Sequence, residues 1–199
     1  MILTGGILSD REIRRAIREG DIVINPFVDD HVNPVSVDLT LGDEVLVYSD
    51  WAADDRGQPI RSPIDHVIDV KGPPRTTTFR IGDRGFVLNP GIGYLMHTRE
   101  SVWTSKYVPV LDGKSSLGRL FMSVHVTAGF GDPGFAGQYT LEVTVVHPLR
   151  VYAGMRVAQM RFHSICGEEV EKLYNGNYVG DAARGPVASR AYKQFQEKP

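Results

Sequence analysis

Gly113-Lys114-Ser115-Ser116-Leu117-Gly118-Arg119 puts two cations, two hydroxyls and several backbone amides into one short run. Successive N–H groups with a nearby Lys or Arg can surround phosphate oxygens, so the run reads as an anion-binding loop. It is not a Walker A loop, because Val108 stands where that motif requires a glycine. Downstream, Ala128-Gly129-Phe130-Gly131-Asp132-Pro133-Gly134 leads into Gln138-Tyr139-Thr140-Leu141-Glu142, which ends in a carboxylate inside a strand-like segment. Taken singly, a Gly/Ser/Lys loop is commonly a plain turn, and a strand carboxylate is commonly solvated. The two blocks in one chain say more than either alone.

Metal chemistry finds little support in the residue types. Zinc-dependent nucleobase deaminases hold their ion with His and Cys ligands in His-x-Glu and Pro-Cys-x-x-Cys signatures. This chain has neither motif, a single cysteine (Cys166) and six histidines without ligand spacing. His125 reads as a strand residue, with a smaller claim to line a site. If the chain deaminates a base, the expectation is that it activates water without zinc.

The elements that must position these groups are mainly strands. Ser9 with Glu12 makes a capping box ahead of Ile13, Ala16 and Ile17, and Gly20 supplies a stop, so one helix opens the chain. Short alternating or β-branched runs follow: Ser36–Leu41, Glu44–Val47, Thr76–Ile81, Gly85–Leu88, Tyr94–Thr98, Phe121–Thr127, Tyr139–Val146 and Arg156–Phe162. Gly, Pro, Asn and Asp separate them, as in an all-β barrel or sandwich. The polar stretch Asp50–Pro74 reads as a surface excursion. With 199 residues, 42% of them hydrophobic, the chain can bury a core as one domain over 1–199, with an arm from about residue 174. A net charge of −2 and no basic run argue against nucleic acid. No apolar stretch nears the roughly 20 residues of a membrane span, and the start lacks signal-peptide features. A lone cysteine suits a reducing cytoplasm.

From about Ile7 to Arg190 the chain resembles the dCTP deaminase family, which belongs with the trimeric dUTPases. Besides the two blocks, Asn33-Pro34-Val35-Ser36-Val37-Asp38-Leu39-Thr40-Leu41-Gly42 is similar to the family's Pro-Ala-Ser-Val-Asp-Leu-Arg-Leu-Gly strand. Gly154-Met155-Arg156-Val157-Ala158-Gln159-Met160 is similar to its Pro-Gly-Met strand. Arg184-Gly185-Pro186-Val187-Ala188-Ser189-Arg190 is similar to the C-terminal segment that closes over the nucleotide. The resemblance implies a distorted dUTPase-like β-barrel with a short N-terminal helix, assembled as a homotrimer with shared active sites. The arm has no obvious partner in its own chain, which fits sharing.

The implied activity is zinc-independent deamination of dCTP to dUTP and ammonia, with Mg²⁺ accompanying the triphosphate. Glu142 would relay protons between water, N3 and the leaving ammonia. Ser115 and Arg119 would support it, with Arg119 orienting the carboxylate and water, making a structural ion pair, or both. Lys114 and Ser116 would meet the phosphates, and Ser115 would hold the water or the phosphates. The Ala128 carbonyl would fix the water, Asp132 would accept from the sugar 3′-hydroxyl, and the backbone at Thr140–Glu142 would read the pyrimidine edge. Tyr174, Asn177 and Arg184 fall in the closing arm, where Asn177 replaces the family's Lys and no Gln precedes Arg184. Gly129-Phe130-Gly131-Asp132 and Gln159 are nearer to members that also release dUMP and pyrophosphate, although Gly131 departs from the family's Ile. The other readings are that bifunctional enzyme, a dUTPase that does not deaminate, and a catalytically silent nucleotide-binding trimer.

Overall fold

The computed structural model describes residues 6–48, 52–53, 59–60, 68–167, 170–178 and 184–196. Most of the excursion expected over Asp50–Pro74 lies outside them. Helix α1 (Asp10–Glu19) forms as its sequence directs. The Ser9 hydroxyl accepts the Glu12 N–H at 3.4 Å, Ile13 and Ala16 are buried, and Gly20 ends the helix at φ 80°. The capping box is only half made. The Glu12 carboxylate turns to Arg15 at 2.6 Å, because a charge-assisted bond to a guanidinium one turn on outcompetes a neutral amide.

Among the described residues fourteen strands follow: β1 (Ile22–Asn25), β2 (Val32–Asn33), β3 (Ser36–Thr40), β4 (Glu44–Tyr48), β5 (Ala52–Ala53), β6 (Pro59–Ile60), β7 (Thr76–Arg80), β8 (Phe86–Leu88), β9 (Tyr94–Thr104), β10 (Tyr107–Gly113), β11 (Met122–Ser123), β12 (Ala136–Val145), β13 (Leu149–Val151) and β14 (Arg156–Ser164). A short helix α2 (Ser115–Gly118) sits between β10 and β11. One antiparallel sheet runs β11-β12-β9-β4-β7, with β1 also on β9; a second runs β10-β14-β3-β2. Leu39, Met160 and Phe162 from the second sheet and Val45, Met96 and Leu141 from the first all belong to one buried core. The result is a mainly β, distorted barrel, as expected. The run Phe121–Thr127 departs from expectation. Only Met122–Ser123 is strand, because Phe121 adopts φ 56° and the chain then leaves the sheet to wrap the end of β12.

Strand β9 carries the irregularity that matters for the site. Its register against β12 passes from Gln138↔Ser101 to Thr140↔His97, so Thr98, Arg99 and Glu100 bulge opposite Tyr139 alone. The Tyr139 N–H goes to the Thr98 hydroxyl at 2.9 Å instead of the ladder. Glu100 turns inward to the Thr40 N–H at 2.8 Å and hydroxyl at 2.6 Å. Gln138 donates to the Arg99 carbonyl at 3.0 Å, which leaves its oxygen facing outward to accept.

His97 braces the same region. It is buried, its Nε2 accepts the Glu44 N–H at 3.3 Å, and its Nδ1–H therefore donates to the Thr98 carbonyl at 2.9 Å. The ring lies against Gly42, where any Cβ would overlap it. Gly42→Ala should cost about 2–3 kcal/mol through overpacking. Thermal unfolding should then fall by roughly 5–10 °C. A variant melting within about 2 °C of the parent would show that the ring moves aside freely.

Candidate functional site

A cleft of about 370 Å³ opens over β12, and Glu142 lines it with Asp132, Thr140, Tyr139, Ala128 and Tyr174. Glu142 is half-buried, and the chain leaving β11 fixes it from both ends. Its N–H donates to the Val124 carbonyl at 3.0 Å, and its Oε2 accepts the Val126 N–H at 2.8 Å. Oε1 makes no hydrogen bond with another described residue. A second depression, lined by Val126, Thr127 and Thr144, adjoins the cleft and shares Tyr48, Leu95 and Glu142 with it. The carboxylate is therefore reachable from two sides. Alternation along β12 directs the Thr140 backbone groups to the same side as the Glu142 N–H, away from β9.

Asp132 is exposed at the cleft, and its carbonyl closes a turn to the Phe135 N–H at 3.2 Å. Gly131 has a steric reason. A Cβ there would stand 2.5 Å from the Tyr139 hydroxyl, so the large ring of Tyr139 occupies the space a longer side chain at 131 would need. Tyr139 packs edge-on against Phe135 at 5.0 Å. Burial, and then the charge of Asp132, push its phenol well above the usual tyrosine range.

The arm closes this same cleft. Gly185 N–H donates to the Gln138 side chain at 2.6 Å, Val187 N–H to the Thr140 hydroxyl at 3.1 Å, and Ser189 N–H to the Tyr48 hydroxyl at 3.2 Å. Arg190 secures the far end, with its N–H on the Tyr178 hydroxyl at 3.2 Å and its guanidinium on the Asn177 carbonyl at 2.7 Å. Alternate amides of an extended strap thus meet side-chain acceptors on the cleft rim. The expectation that the arm lacks a partner in its own chain is corrected: Gln138, Thr140 and Tyr48 supply one. Tyr174 lines the cleft with its ring against Phe135 at 5.8 Å. Asn177 and Arg184 are exposed and do not line it.

The run from Gly113 to Arg119 lies elsewhere. Lys114, Ser115 and His125 line a separate cavity of about 260 Å³, with no residue common to it and the Glu142 cleft. Ser116 and Arg119 are exposed at and beyond α2, and Arg119 makes no ion pair with another described residue. Lys114 is held by buried Asp38 at 2.5 Å. His125 is not in a strand. It faces this cavity, 3.7 Å from Asp112, and its buried Nδ1 has no hydrogen-bond partner among the described residues. Gln159 occupies a third position, in a small depression with Ser36, Asp112 and Arg161.

One chain therefore brings Glu142, Ala128, Asp132, Thr140 and Tyr174 together and holds Lys114, Ser115, Ser116, Arg119 and Gln159 apart from them. Gln138 and Tyr48 were missed from the sequence, whereas Tyr178, Val187 and Ser189 fall in the arm that the resemblance places over the cleft. Gln138 shares its parity with Thr140 and Glu142, so strand alternation alone was a usable signal for it. Among the described residues, no three His, Cys, Asp or Glu side chains gather as a metal site, and no helix is long and apolar enough to cross a membrane.

Comparison with known proteins gives a consistent picture. A family model described as dCTP deaminase-like matches residues 7–165. A curated relative from Clostridium botulinum (strain Alaska E43 / Type E3), named dCTP deaminase, dUMP-forming, is 42% identical over 96% of this chain and 99% of its own. A protein of the same name from Leptospira biflexa is 40% identical over the full length of both chains. The crystal structure of 2′-deoxycytidine 5′-triphosphate deaminase from Agrobacterium tumefaciens superposes with a TM-score of 0.58 at 24% identity. It covers 81% of this chain and 49% of its own, and supports the fold.

Proposed function

Because this chain belongs to the dCTP deaminase-like family, we propose that it is a hydrolase that removes the 4-amino group of dCTP and carries the nucleotide on to dUMP. The observation that supports this most is the half-buried Glu142 carboxylate. The Val126 N–H fixes one of its oxygens, the other takes no hydrogen bond from another described residue, and Ala128 and Asp132 share its cleft. The release of dUMP follows the name its relatives carry at about 40% identity over full length.

In this reading Glu142 takes a proton from a water that adds to C4. It passes that proton to N3, then takes the remaining hydroxyl proton and delivers it to the departing amine, which leaves as ammonia as the C4 carbonyl forms. Thr140 backbone groups and Glu142 face the pyrimidine edge, and Asp132 accepts from the 3′-hydroxyl. The arm, strapped by Gln138, Thr140 and Tyr48, excludes bulk water. Ser115 lines a separate cavity of the same chain, and Ser116 and Arg119 are exposed beside it, so these three complete the Glu142 cleft of a second copy in a homotrimer. Gln159 joins from that copy as well. The chain gathers no metal cage among its described residues. Mg²⁺ fits as part of the substrate, held by phosphate oxygens and its own waters. A reducing cytoplasm suits the single exposed Cys166.

Incubation with dCTP and Mg²⁺, followed by chromatography, tests this reading. The expected products are dUMP and pyrophosphate, with little dUTP at any time. Complete conversion of dCTP to dUTP without pyrophosphate would confine the chemistry to deamination.

A further inference from the structure

Asp38 has no part in the chemistry above, yet it is bound to the loop that does. It lies on β3, only 2% exposed, between β14 and β2. Its Oδ1 accepts from Lys114 Nζ at 2.5 Å and from the Asn33 amide at 2.9 Å; its Oδ2 lies 3.5 Å from the Arg156 guanidinium. A carboxylate this buried is tolerable only when cations and donors surround it, and here Lys114 is the nearest cation. Lys114 is also the residue immediately before α2, and its own side chain makes no cap on that helix. The ion pair therefore joins the interior of the β3 sheet to the segment that carries Ser115, Ser116 and Arg119.

We propose that Asp38 is a positioning residue for this segment, and that Lys114 is its strut and not a ligand selecting the phosphate chain. The Lys114 side chain is 22% exposed and directed at the interior carboxylate. Leaving Asp38 for a phosphate would strip a buried anion of its closest counter-charge, so Lys114 stays on Asp38 when nucleotide binds. Phosphate recognition then rests on the hydroxyls and amides of Ser115 and Ser116 and on Arg119, which Lys114 holds in place. This inference rests on the reading that the segment meets the nucleotide's phosphates.

Asp38→Asn, Lys114→Met and the double variant test it. Each single variant should lower kcat/KM for dCTP about tenfold, mainly through KM, and the double should be no worse than the poorer single, since both break one link. The preference for dCTP over dCMP should stay unchanged, and Lys114→Arg should recover most of the loss. If Lys114→Met fails to fold, the double variant, in which both charges are gone, carries the same comparison. Hydrogen exchange of the nucleotide-free protein reads the strut without any substrate. Asp38→Asn should speed exchange at Leu117–Arg119 several-fold while β9 is unaffected. Unchanged exchange there would overturn the proposal. So would tighter dCTP binding in Asp38→Asn together with loss of dCTP-over-dCMP preference in Lys114→Met, because Lys114 would then be a phosphate ligand competing with Asp38. Failure of the wild-type protein to consume dCTP would instead count against the proposed reaction, and the exchange result would still stand or fall by itself.

Discussion

Glu142→Gln should lower ammonia release from dCTP by about 10²–10⁴-fold, the range that a positioned acid–base group contributes. Nucleotide affinity should change little. The amide oxygen of Gln can still accept the Val126 N–H that now holds Oε2, so the geometry of the cleft survives. What is lost is the ability to take a proton from water and return it to N3 and the leaving amine. Steady-state ammonia release and calorimetric binding, measured on the same preparation, separate the two effects. Turnover close to that of the parent would remove Glu142 from the mechanism.

Subunit mixing should give the second large effect. Glu142→Gln and Arg119→Ala should each be nearly inactive alone. In mixed trimers, roughly a quarter of the sites should pair an intact Glu142 cleft with an intact Arg119 from another chain, if partners assort at random. Activity should therefore reappear on mixing. Glu142→Gln mixed with a chain lacking residues 174–199 should stay silent, because the arm straps the cleft of its own chain through Gln138, Thr140 and Tyr48. Every site in that mixture then lacks either the carboxylate or its cover. Recovery in the arm-deleted mixture would mean that the arm crosses between chains. No recovery with Arg119→Ala would mean that the α2 segment never meets the Glu142 cleft of another chain. Sedimentation as a trimer is the accompanying requirement.

Features set by neighbours in sequence were readable before the structure. Ser9 and Gly20 bound α1 through bonds spanning a single turn, and the alternation in Glu44–Tyr48 and Tyr139–Val145 follows from one buried sheet face. Strand β10 escaped notice because Pro109 interrupts its pattern. It is tolerated because β10 lies at the edge of its sheet, where its side away from β14 makes, among the described residues, just the isolated Val110–Phe130 bridge, in which the Pro109 carbonyl accepts the Gly131 N–H at 2.7 Å. The β9 bulge depends on Glu100 meeting Thr40, and the strut depends on Lys114 meeting Asp38. Those contacts lie 60 and 76 residues apart and leave no local trace. The same holds for the candidate site. Glu142 and Asp132 were legible because they sit in one contiguous motif. The arm's acceptors were not, since Ser189 finds Tyr48 across 141 residues. The segregation of Ser115 and Arg119 from Glu142 is a property of the folded surface, which no spacing rule encodes.

The most direct test of the account is the ammonia balance of chelator-stripped protein resupplied with Mg²⁺ alone and given dCTP. The account predicts one ammonia released for each dCTP consumed, at an undiminished rate and accompanied by dUMP. Pyrophosphate release from dCTP without ammonia, or deamination that returns only when zinc is added, would contradict it.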